Sequence, residues 1–187
     1  LIIGNIQDKN PKDIHGRTPL FMAIAMGHLN ICKFIIENVP EKNYGDHYGQ
    51  TLFHLAAERG YLAVCKLFIE NMQDKHPRDN AGYTPLHYAA SEGHLDVCKV
   101  IIENVQNMNP RSDNGNTPLH TAAESGEMDI CKLIIESMLK ENPGSIQVHT
   151  RNNLGITPLD RAKQFEYPNI CEYFNSFLKK ENSTTEY

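Results

Sequence analysis

The chain has no apolar run approaching the ~20 residues that a membrane-spanning helix requires, so membrane insertion is not expected. It has no basic stripe. Its 18 Lys and Arg are outnumbered by 23 Asp and Glu, for a net charge of −5. Both signs are interspersed: Lys12, Arg17, Arg59, Arg78 and Arg111 are matched by Asp13, Asp46, Glu58, Asp79, Glu92, Asp113 and Glu124. Nucleic acid is therefore not the expected partner. Also missing are a phosphate-binding loop, a GxSxG elbow, an HExxH helix and a dinucleotide fingerprint. No enzymatic activity and no cofactor are expected. No CxxC or HxxxH pair is present, and no secretory signal peptide is visible.

What the chain does have is one phrase written five times. Gly16-Arg17-Thr18-Pro19-Leu20, Gly49-Gln50-Thr51-Leu52-Phe53, Gly82-Tyr83-Thr84-Pro85-Leu86 and Gly115-Asn116-Thr117-Pro118-Leu119 follow one another at intervals of 33 residues. Gly155-Ile156-Thr157-Pro158-Leu159 comes after a step of 40. A fixed period of this length signals a stacked array and not a globule around one central core. Thr84 suits the N-cap of a helix and Pro85 its first position, where a missing N–H is no loss. Gly93 is the expected break between two helices. Beyond it Leu95, Val97, Cys98, Ile101, Ile102 and Val105 form a broad apolar face that only stacking can bury.

The five cysteines reduce to one slot. Cys32, Cys65, Cys98, Cys131 and Cys171 recur at the repeat period. Packed helices lie about 8–10 Å apart, whereas a disulfide needs Cα atoms within roughly 6.8 Å. The reading is buried free thiols and a reducing, cytoplasmic or otherwise intracellular setting. His54, His87 and His120 precede Cys65, Cys98 and Cys131 by a constant interval, but they belong to different helices and are not expected to converge on a metal. Asp13, Asp46 and Asp79 read as turn residues accepting backbone hydrogen bonds.

Thr84-Pro85-Leu86-His87-Tyr88-Ala89-Ala90-Ser91-Glu92-Gly93-His94-Leu95 resembles the first half of an ankyrin repeat, and Cys98-Lys99-Val100-Ile101-Ile102-Glu103 its second helix. The resemblance covers residues 1 to 178. It implies an all-α solenoid of helix-turn-helix units with β-turn fingers, and a motif histidine that ties turn to helix by hydrogen bonds. One departure is systematic. Where the family usually has Gly-Ala-Asp after the second helix, this chain has Asn38-Val39, Asn71-Met72, Asn104-Val105 and Ser137-Met138. Asparagine tolerates the left-handed conformation of a helix end, which makes it a variant cap.

The expected organisation is a remnant of a truncated repeat over 1–15, repeats over 16–48, 49–81 and 82–114, and a repeat with an extended loop over 115–154. The extended loop is an insertion of seven residues held within 139–151. A capping repeat over 155–178 and a polar tail over 179–187 complete the array. Leu1-Ile2-Ile3-Gly4-Asn5-Ile6 aligns with Phe34 to Val39, so the chain reads as beginning inside a second helix, as a fragment of a longer protein would. In the last repeat Asp160 replaces the motif histidine and Glu166 the glycine, as a solvated outer face allows.

Residues that vary between copies are free for recognition. By the resemblance they lie beside each turn glycine and near the end of each first helix. The candidate protein-binding residues are His15, Arg17, Met26, His47, Tyr48, Gln50, Arg59, Tyr83, Glu92, Asn116 and Glu124. Tyr and Arg are favoured hot-spot types. The expected function is a non-catalytic interaction module that presents a concave surface to another protein, monomeric in isolation. A regulatory or tethering array within a larger enzyme or channel, and a structural spacer, remain as alternatives.

Overall fold

The computed structural model describes residues 11–38, 46–71, 74–141 and 149–184, with side chains described as far as residue 177. Most of the N-terminal remnant (1–10), the core of the insertion (142–148) and the last three residues of the tail lie outside the described residues. The rest is helical, and no β-strand forms among the described residues. The helices are α1 (Pro19–Ala25), α2 (Leu29–Asn38), α3 (Leu52–Glu58), α4 (Leu62–Asn71) and α5 (Pro85–Ser91). They continue with α6 (Leu95–Ile102), α7 (Pro118–Ser125), α8 (Met128–Glu141), α9 (Pro158–Gln164) and α10 (Pro168–Thr184).

Each odd-numbered helix packs against the next even-numbered one. The odd helices stack on one another as an inner layer and the even ones as an outer layer. One continuous core runs between the layers. Each unit contributes small inner-helix residues such as Ala56, Ala57, Ala89, Ala90, Ala122 and Ala123, all fully buried, and larger outer-helix residues such as Phe68, Ile101, Ile134 and Phe174. Alanines on the inner layer let successive helices approach closely, and the bulky residues behind them fill the space between layers.

The helix starts follow the sequence. Thr84, Thr117 and Thr157 are N-caps in extended conformation, each followed by Pro at the first position. Gly93 adopts φ +77°, and a side chain there would run into the Glu127 carboxylate. The last unit makes the same turn with Glu166 at φ +60°, the one non-glycine residue with positive φ among those described.

Two expectations about helix ends are corrected. The asparagines after the outer helices do not take left-handed conformations. Their side-chain amides turn back instead. Asn38 Nδ2 donates to the Phe34 carbonyl, Asn71 Nδ2 to Leu67 and Asn104 Nδ2 to Val100, at 2.7 to 2.9 Å. For α6 the amide supplies a donor to a carbonyl that the helix end leaves short of one, because Asn104 N–H goes to Ile101. In α2 and α4 it adds a second donor to the carbonyl four residues back. The fourth copy has Ser137 in this slot, and α8 runs on for 14 residues where α6 has 8. Part of the expected loop, Leu139 to Glu141, is therefore helix.

Candidate interaction surface

The turns before the inner helices form a row of five fingers, four of them held by one acidic or amide side chain. The fourth finger has Ser112 in that place, its hydroxyl buried without a hydrogen-bond partner among the described residues. Asp79 Oδ1 accepts the backbone N–H groups of Ala81 and Tyr83, both at 2.9 Å. Asp13 and Asp46 do the same for their own turns, and Asn152 does it in the last unit. From the second finger to the last, neighbours are joined by single backbone bonds. Asn80 N–H donates to Tyr48, Asp113 to Ala81 and Asn153 to Asn114. Arginines reinforce the row: Arg78 Nη1 donates to the Arg111 carbonyl and Arg111 Nη2 to that of Arg151.

The motif histidines hold the fingers to the helices. Nδ1 of His54, His87 and His120 accepts the N–H of its own N-cap threonine at 3.1 to 3.2 Å. Nε2 meets a carbonyl of the following finger, on Tyr83, Asn116 and Ile156. A carbonyl only accepts, so Nε2 carries the proton and the ring is neutral. Burial depresses these rings, with His87 and His120 pushed down to about 4.

The eleven candidate residues fall into three settings on this frame. His15 is exposed on the first finger, and Arg17 there forms a 2.8 Å ion pair with Asp13. The hydrogen bond from Arg17 holds the Asp13 carboxyl at about 2. His47 and Tyr48 are exposed on the second finger, Tyr48 by 75 %. Met26, Arg59 and Glu92 occupy the C-caps of α1, α3 and α5, and all three are exposed. The remaining four turn partly inward. Gln50 Nε2 donates to the Tyr88 hydroxyl at 2.6 Å. Asn116 is buried, receives Asn152 Nδ2 at 2.7 Å and donates to the Tyr83 hydroxyl at 3.5 Å. Glu124 lies 3.5 Å from Arg161 Nε.

Three of the candidates, Tyr83, Asn116 and Glu124, line one pocket of about 320 Å³ between α5 and α7, together with His87, Tyr88, Ser91, Thr121 and Ser125. Tyr88 is one of its walls and was not among the sequence candidates. Its ring stands edge-on to Tyr83, with centroids 6.4 Å apart, and its hydroxyl donates to Asp79 Oδ2 at 2.8 Å. A signal for it exists: the residue after the motif histidine changes in every copy, as Met22, Leu55, Tyr88, Thr121 and Arg161.

Among the described residues no group of three or more His, Cys, Asp or Glu could hold a metal ion, and no helix is long and apolar enough to cross a membrane. No curated protein matches the chain. A family model described as ankyrin repeats (3 copies) matches residues 1–79, 36–112, 54–144 and 102–182. With those matches extending over nearly its whole length, the chain belongs to the ankyrin-repeat family.

Proposed function

We propose that the protein is a non-catalytic interaction module that docks an intracellular partner protein on the concave face made by its fingers and inner helices. Ankyrin repeats are generally protein–protein interaction modules. The observation that carries the reading for this chain is the exposure of Tyr48, Met26 and Arg59 on that face. Tyr48 stands 75 % and Met26 65 % exposed, and Arg59 is exposed at the end of α3, in the next repeat. Large side chains of hot-spot type held by a backbone-bonded frame pay little ordering entropy on binding. The outer helices carry a different surface. Lys33 and Glu37, or Lys132 and Asp129, pair loosely within one helix, as a solvated face does. The cysteines are free, which supports a reducing compartment. The protein is proposed to be monomeric when alone.

The test is comparative capture of a partner from the source cells. Tyr48→Ala with Arg59→Glu should abolish retention of the partner. Lys66→Glu with Lys99→Glu, on the outer helices, should leave it intact. Loss on the outer-helix variant alone would contradict the reading.

A further inference from the structure

The pocket between α5 and α7 differs from the rest of the concave face in its chemistry. Two tyrosine rings wall it, 6.4 Å apart and inclined at 69°. The Tyr88 hydroxyl donates a hydrogen bond to the Asp79 carboxylate, which enriches the electron density of the ring facing the cavity. Burial raises the Tyr88 hydroxyl above its usual range, and the charges of Asp79 and Glu58 raise it further. Glu124 stands at the rim with Arg161 as its one partner among the described residues, at 3.5 Å and with no hydrogen bond. Glu92, next in the chain to the lining residue Ser91, is exposed at the end of α5.

We propose that this pocket takes the side chain of an arginine from an extended segment of the partner protein, with the guanidinium against the Tyr88 ring and the Glu124 carboxylate. The proposal rests on the concave-face reading above. A guanidinium is planar and weakly hydrated, stacks on aromatic faces, and presents a fork of donors to a carboxylate. An apolar side chain would strip water from Glu124, Ser91 and Ser125 without giving them a partner. An anion would meet the Glu124 carboxylate. Lysine satisfies the charge but offers no planar face to the ring.

The probe is N-acetyl-arginine amide, titrated into the isotopically labelled protein and followed by NMR. Saturable shifts centred on Ser91, Thr121 and Glu124 are expected. The neutral isostere N-acetyl-citrulline amide should produce none, and N-acetyl-lysine amide should bind more weakly. Glu124→Gln should weaken the arginine probe about tenfold. Ser91→Trp, which fills the pocket and leaves the Glu124–Arg161 pair in place, should abolish its shifts. Equal response to arginine and citrulline, an equal or stronger response to lysine, or no saturable response, overturns the proposal. The concave-face reading is judged separately by Tyr48 and Arg59, which do not line this pocket.

Discussion

His87 donates from Nε2 to the carbonyl of Asn116, in the next finger, across 3.2 Å. The same ring accepts the Thr84 N–H at Nδ1. One imidazole therefore caps its own helix and fastens the following unit. His54 and His120 repeat the arrangement with Tyr83 and Ile156. Asp160, in the last unit, keeps only half of it. Its carboxylate accepts from Thr157 N at 3.0 Å and Thr157 Oγ1 at 2.7 Å.

These histidines should make stability depend on pH. Burial lowers His54, and lowers His87 and His120 to about 4. The unfolded chain, with histidines near 6.5, takes up protons first. The stabilisation is therefore complete above pH 7 and is lost as pH falls from about 6.5 toward 4. By pH 5 the loss should be on the order of 2 kcal/mol for each of His87 and His120. Urea denaturation at pH 8 and pH 5 checks this, and His87→Gln should flatten the dependence while lowering stability at pH 8. A midpoint independent of pH over this range would contradict the neutral, doubly bonded ring.

The Asn caps separate two mechanisms cleanly. If the Asn104 amide closes the end of α6 through the Val100 carbonyl, Asn104→Ala and Asn104→Gly should both cost about 0.5–1 kcal/mol. A left-handed cap would instead accept glycine without loss. Chemical denaturation of the two variants reads out the difference.

Glu166 holds φ +60° where the other units have glycine. Glu166→Gly should stabilise the protein by about 1 kcal/mol, since an L side chain in this region costs roughly that much. The melting temperature should rise. An unchanged or lower value would mean that the Glu166 side chain compensates locally.

The thiols should be nearly inert in the native protein. Cys32, Cys65, Cys98 and Cys131 are fully buried, and burial pushes Cys65 and Cys131 up to about 12. Cys171 is half-buried. Titration with an aromatic disulfide should find at most one reactive thiol in the native state and five after denaturation. Two or more fast thiols in the native state would be inconsistent with this packing.

Much of the frame was legible because it is written repeatedly. Thr-Pro at a helix start and Asp at a turn are local signals, decided by backbone chemistry within a few residues. The asparagine caps misled because the residue permits two solutions, a left-handed backbone or a side-chain bond to the carbonyl four residues back. Sequence spacing does not distinguish them. Tyr88 escaped notice because it lies inside the repeated phrase, where variation is easily read as noise. Asn116 lies in a variable slot, yet its side chain is occupied by Asn152 and Tyr83 across unit boundaries. Contacts of that kind depend on how units stack and leave no trace in a single copy.

The central claim is that the partner sits on the fingers and inner helices. Hydrogen exchange of the protein alone and in complex with the captured partner tests it most directly. Added protection is expected at the turns around Tyr48 and Tyr83 and at the ends of α3, α5 and α7, with α4, α6 and α8 unchanged. Protection confined to the outer helices would contradict it.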